Sequence, residues 1–113
     1  MAGRAALVTG GGGGIGAATA RLFAEEGGSV ALVDTDRGAV ETAATGIAAA
    51  VPGARVVPLV ADLSREDETR RAVEDAVARL GGLHTLVNVA GVRLGRYEGI
   101  PVYGAREFLP LDR

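Results

Sequence analysis

Eight residues near the start of the chain, Thr9-Gly10-Gly11-Gly12-Gly13-Gly14-Ile15-Gly16, follow the apolar run Ala5-Ala6-Leu7-Val8 and open an alanine-rich helical pattern. Backbone N–H groups at a helix start point outward with the positive end of its dipole, and glycines remove the Cβ atoms that would keep a phosphate away. The loop therefore suits the pyrophosphate of a dinucleotide, with Ile15 expected to donate from its backbone while its side chain packs inward. The alternative is a flexible glycine tract. Asp34 stands 18 residues after Gly16, at the end of the second apolar run. At that spacing a carboxylate accepts hydrogen bonds from the adenosine ribose hydroxyls. The alternatives are a turn residue or a helix cap, a task that suits Asp36 better. A carboxylate repels a 2'-phosphate, and neither Gly11 to Gly13 nor Thr35 offers a cation, so the residues favour NAD over NADP. Arg37 is the one cation able to swing toward that position.

The elements that would hold these groups alternate between apolar runs and helical stretches. Strands are expected at 4–9, 29–34, 55–61 and 83–89, each nearly continuous in apolar character, as suits strands buried on both faces. The first helix is expected over 14–26 with Ile15, Ala18, Leu22 and Phe23 facing inward and Gly27-Gly28 closing it. The second spans 36–51, with Val40, Ala44, Ile47 and Val51 inward, and stops at Pro52-Gly53. In the third, Ser64 is the candidate N-cap, and Glu66, Asp67 and Glu68 suit the positive end of the helix dipole. Val73, Ala76, Val77 and Leu80 form its apolar face, Glu66–Arg70 and Asp67–Arg71 are spaced for ion pairs, and Gly81-Gly82 ends it. Right-handed crossovers then give a parallel α/β sheet of the Rossmann type, three layers deep, with strand order 3-2-1-4 and the third helix on the face opposite the first two.

Of the 113 residues, 14 are acidic and 12 basic, for a formal charge of −2 with no basic stripe, which argues against nucleic acid and anionic membranes as partners. Every basic residue is arginine, so chemistry that requires a lysine amine cannot come from these residues. No cysteine is present, which excludes disulfides and thiolate metal sites and fits a reducing compartment. The opening residues make neither a signal peptide nor a membrane span, and a soluble cytoplasmic protein is expected. Residues 1–91 read as one nucleotide-binding domain, and 92–113, with scattered Gly and Pro and no periodicity, as an irregular tail.

These residues resemble the short-chain dehydrogenases/reductases. The family's T-G-x-x-x-G-x-G loop is matched by Thr9, Gly10, Gly14 and Gly16, and its acidic residue after the second strand by Asp34. Ala61-Asp62-Leu63 is similar to the pair bordering the adenine, which implies Asp62 near the adenine amino group and Leu63 on the ring. Leu86-Val87-Asn88-Val89-Ala90-Gly91 resembles the N-N-A-G motif that lines the nicotinamide-side ribose. Asn88, Ala90 and Gly91 match, and Val89 replaces the second asparagine. His84 stands where the family carries an aspartate and is read as structural. The resemblance covers about residues 4–91, under half of a full family member, and implies NAD(P)-dependent hydride transfer between nicotinamide and a carbonyl or secondary alcohol.

The family's Tyr-x-x-x-Lys pair is not among these residues: Tyr97 is followed four positions later by Pro101 and Tyr103 by Glu107. No residue is therefore assigned a catalytic role and no metal ligand is identified, so the isolated chain is expected to be inactive. Its fourth strand is expected to present an open edge suited to self-association or a partner chain. Two further readings stand beside the cofactor-binding half of an oxidoreductase: a non-catalytic dinucleotide-binding or interaction module, and an unstable gene fragment without function.

Overall fold

The computed structural model describes residues 3–89. Seven elements alternate along them: β1 (Ala5–Thr9), α1 (Gly14–Glu25), β2 (Ser29–Asp34), α2 (Arg37–Ala50), β3 (Val56–Val60), α3 (Glu66–Leu80) and β4 (Thr85–Asn88). All strand pairs are parallel and the order is β3-β2-β1-β4, the doubly wound arrangement of a Rossmann-like sheet. Expected boundaries fall within two residues of those observed. Ala90, Gly91, Tyr97, Tyr103 and the expected tail lie outside the described residues.

The continuous apolar runs of β1 and β2 arise because each is covered on both faces. Ala6, Val8, Val30 and Leu32 pack with Ala20 and Ala24 of α1 and with Val40, Ala44 and Ile47 of α2. On the other face Leu7, Ala31, Val33 and Leu59 meet Ala72 and Ala76 of α3. The third helix thus lies opposite the first two, as a right-handed crossover on each side of β1 requires. At the outer end of the sheet, Pro58 pairs opposite Leu32 in β3. Proline cannot donate to a sheet ladder, so its place in this strand fits an edge.

Two inward faces differ from expectation. In α1 the buried residues are Gly16, Ala20 and Ala24, while Ile15 and Leu22 are 68% and 64% exposed. The cause is proximity: a Cβ on Gly16 would collide with the Gly10 carbonyl, so the helix turns its smallest residues, not its most apolar ones, toward the sheet. Only Phe23 of the expected stripe packs against the core. In α3, Ala72 and Ala76 make the buried contact, flanked by Val73 and Leu80, and Val77 is turned away at 41% exposure.

The start of α2 is fixed by Asp36, whose Oδ1 accepts the Ala39 N–H at 3.0 Å. Asp36→Ala is expected to cost about 1 kcal/mol of stability, read as a lowered urea midpoint with an unchanged slope. An unchanged midpoint would remove the cap from the forces holding this helix. At α3 the expected cap fails. Arg65 occupies the cap position without a side-chain cap bond, and Ser64 stands one residue before it, its N–H and hydroxyl both donating to Asp62 Oδ1, at 3.0 and 2.6 Å. Glu66 and Arg70 pair at 2.9 Å, whereas Asp67 lies 3.8 Å from Arg65 instead of pairing with Arg71.

Candidate dinucleotide-binding site

The carboxyl ends of the strands fall in one row. Thr9 is in register with Val33 and Asn88, and Asp34 with Val60, so the carboxyl ends of β1, β2, β3 and β4 lie at one edge of the sheet. β1 sits between strands whose connections run to opposite faces, which makes this edge the switch point where open α/β sheets bind ligands.

The glycine loop turns immediately after β1. Gly10 has φ +69°, a left-handed conformation that glycine adopts freely, and its carbonyl accepts the Gly13 N–H at 3.1 Å. The Gly11 N–H donates to the Val33 carbonyl at 3.0 Å, tying the loop to β2. Gly13 then takes the cap position of α1 with no side-chain hydrogen bond, and the first turn contains no acidic residue. The opening N–H groups of a helix have no acceptor within it. In α2 the Asp36 side chain takes one of them, but in α1 no side chain does. A Cβ on Gly14, the first residue of α1, would meet no heavy atom within 4 Å, so the space above it is open. An uncapped helix start beneath a surface with no side chain on Gly13 or Gly14 suits a phosphate in charge and in shape.

Asp34 ends β2 beside this loop. Its Oδ2 accepts the Gly12 N–H at 2.9 Å and its Oδ1 accepts the Asp36 N–H at 3.3 Å. Arg37, the cation nearest in sequence, is drawn along α2 to Glu41 at 3.5 Å. An open groove lined by Gly12, Gly13, Gly14, Asp36, Gly38 and Ala39 runs between the starts of α1 and α2.

The exit of β3 is joined to the same edge, because the Ala61 N–H donates to the Asp34 carbonyl at 3.1 Å. Asp62 and Leu63 follow. The Asp62 carboxyl organises its own turn: the Ser64 hydroxyl bond, then the Ser64 backbone bond, and least the Arg65 charge, hold it below the usual carboxylate range against a small opposing effect of burial. The Asp62 N–H donates to Glu68 Oε1 at 2.7 Å, closing the loop onto α3. At the β4 exit, buried Thr9 donates its hydroxyl to Asn88 Oδ1 at 2.9 Å and accepts the Val89 N–H at 3.0 Å. Thr9 and Asn88 therefore fasten two strand ends to each other. Ala90 and Gly91 lie outside the described residues.

The structure thus brings Thr9, Gly10, Gly14, Ile15, Gly16, Asp34, Asp62, Leu63 and Asn88 to one edge, with the Ile15 side chain turned outward, contrary to the expected inward packing. Its backbone N–H stays at the helix start. Sequence spacing missed Gly12, whose contact with Asp34 appears only when the chain is folded. It also left His84 without a partner: Nδ1 accepts the Ala5 N–H at 3.0 Å, and the His84 N–H donates to the Ala5 carbonyl at 2.8 Å, beginning the β1–β4 pairing. Among the described residues no group of three or more His, Asp or Glu could hold a metal ion, and no helix is long and apolar enough to cross a membrane.

A parallel doubly wound sheet with a glycine turn after β1 and a carboxylate ending β2 defines a dinucleotide-binding class of α/β protein. The profile of the short chain dehydrogenase family matches residues 4–105. The maize sex determination protein tasselseed-2 is 45% identical over 97% of this chain and 30% of its own length. Among solved structures, levodione reductase superposes with a TM-score of 0.73 at 34% identity, covering 76% of this chain and 33% of that one. NAD+-bound xylitol dehydrogenase gives 0.71 at 36% identity, covering 75% and 32%. The chain belongs to the short chain dehydrogenase family, a family of oxidoreductases, and spans about 30% of the length of the curated relatives it matches.

Proposed function

We propose that this chain is the NAD-binding part of a short chain dehydrogenase. The observation that carries the reading is the start of α1, uncapped from within and open above Gly14. The N–H groups of Gly14, Ile15 and Gly16 would receive the pyrophosphate, with Gly10 shaping the turn. Thr9 would open the cofactor loop, Asp34 would accept the hydroxyls of the adenosine ribose, Asp62 and Leu63 would border the adenine, and Asn88, Ala90 and Gly91 would line the nicotinamide-side ribose. When bound, the cofactor supplies a hydride donor or acceptor at its nicotinamide C4, for exchange with a carbonyl or secondary alcohol in the complete oxidoreductase. The 113 residues contain no lysine and hence no Tyr-x-x-x-Lys pair, so the chain by itself binds without turnover.

Support for NAD over NADP comes from the Asp34 carboxylate beside the glycine loop, where it would meet the adenosine ribose, and from Arg37 standing 3.5 Å from Glu41. Thermal unfolding with each dinucleotide tests the reading: ligand at ten times its dissociation constant adds about 1.4 kcal/mol of stability. The midpoint is expected to rise with NAD at concentrations where NADP has little effect. A midpoint indifferent to both would overturn the proposal and favour an interaction module that uses the β4 edge.

A further inference from the structure

Gly12 lies outside the glycines that spacing assigns to the cofactor, yet it is bonded directly to the carboxylate that ends β2. Its N–H donates to Asp34 Oδ2 at 2.9 Å. A Cβ in its place would stand 2.9 Å from that same oxygen and 2.7 Å from the Ala39 Cβ, closer than real Cβ atoms approach such groups. Its neighbours cannot retreat easily. Ala39 is held in the first turn of α2 by its N–H bond to Asp36, and Asp34 is held on its other oxygen by the Asp36 N–H at 3.3 Å. Gly12, Asp34, Asp36 and Ala39 therefore form one connected unit, joining the loop after β1, the end of β2 and the start of α2.

The consequence for ligand recognition follows from lone pairs. Each carboxylate oxygen has two acceptor positions, and each Asp34 oxygen uses one on a backbone N–H. One remains on each, as needed for two neighbouring hydroxyls. We infer that Gly12 is a positioning residue for cofactor choice: by donating its N–H to Asp34 and carrying no side chain, it aims the carboxylate at a ribose diol and so sets the preference for an unphosphorylated ribose. The inference rests on the proposed reading that Asp34 faces the adenosine ribose. It adds that the aim of Asp34 is set from the pyrophosphate loop, so the two parts of the site are coupled.

The test compares the NAD and NADP dissociation constants of the wild-type chain, Gly12→Ala, Asp34→Ala and the double variant, with Gly46→Ala as a control whose Cβ meets nothing within 4 Å. Gly12→Ala is expected to reduce the preference for NAD about tenfold, equivalent to about 1.4 kcal/mol, and Gly46→Ala to leave it unchanged. If Gly12 acts through Asp34, its substitution in the Asp34→Ala background changes the ratio no further, a non-additivity that loss of stability alone does not produce. An unchanged ratio in Gly12→Ala, or an equal change in both backgrounds, would overturn the inference while the function proposed above stands. Wild-type chain that binds neither dinucleotide would overturn both. A ligand-free readout covers the case in which Gly12→Ala unfolds: the Gly12 amide is expected to exchange with solvent more slowly in the wild-type chain than in Asp34→Ala, because its N–H is bonded to Asp34 Oδ2. A Gly12 amide that exchanges alike in both chains would refute the bond and the inference with it.

Discussion

Gly14→Val is expected to weaken NAD binding at least a hundredfold, about 2.7 kcal/mol, while helix content stays close to wild type. Glycine costs up to about 1 kcal/mol relative to alanine inside a helix, and less at its first residue. Packing does not require glycine at position 14, because a Cβ there would touch nothing within 4 Å. Gly16 is the opposite case, since there a Cβ would strike the Gly10 carbonyl and the fold itself demands glycine. On the proposed reading, Gly14 keeps clear the approach to the N–H groups of α1, which no side chain caps. An isopropyl group there would bar a phosphate oxygen from hydrogen-bond distance without disturbing the protein. Retained affinity, measured by calorimetric titration with circular dichroism as the check on folding, would place the pyrophosphate elsewhere.

Asp34→Ala carries the second large expectation: a loss of NAD affinity of about ten- to a hundredfold, or about 1.4 to 2.7 kcal/mol, with little change toward NADP, so that the two affinities converge. The substitution removes the acceptor for the ribose hydroxyls and the negative charge that repels a 2'-phosphate. It also leaves the Gly12 and Asp36 N–H groups without their carboxylate, so part of the loss reaches the loop. Equal proportional losses for both dinucleotides would contradict the assigned role and leave Asp34 as a brace for the turn.

Much of the fold was legible in the sequence because strands buried on both faces are written as unbroken apolar runs, and β1 and β2 are such strands. The stripe of α2 was equally plain, since Val40, Ala44 and Ile47 are both the apolar residues and the buried ones. In α1 these properties part company. Close approach to the glycine turn selects Gly16, and the same face buries Ala20 and Ala24 against the sheet, leaving the larger Ile15 and Leu22 outside, so a hydrophobic pattern points to the wrong face. The α3 cap was misread because the helix starts one residue later than a Ser64 cap would place it: Arg65 holds the cap position, and the Ser64 N–H and hydroxyl donate to the Asp62 carboxyl.

The candidate site divides along the same line. Spacing brought Gly10, Gly14, Gly16 and Asp34 to notice, because chain distance along a β-α-β unit fixes where they emerge. It could not separate a glycine needed by the fold from one needed by a ligand, nor reveal the Gly12–Asp34 bond, which joins residues 22 positions apart. The pairing of His84 Nδ1 with the Ala5 N–H, across 79 positions, was hidden for the same reason.

The most direct measurement is a backbone amide NMR spectrum of the isotopically labelled chain, recorded alone and with rising NAD. The expected result is a saturable set of shifts at Gly10 to Gly16, at Asp34 to Asp36 and around Asp62, Leu63 and Asn88, with the amides of Gly14 and Ile15 moving most. Shifts that cluster away from the carboxyl ends of the strands, or a spectrum unchanged at millimolar NAD, would contradict the assignment of this edge as a dinucleotide site.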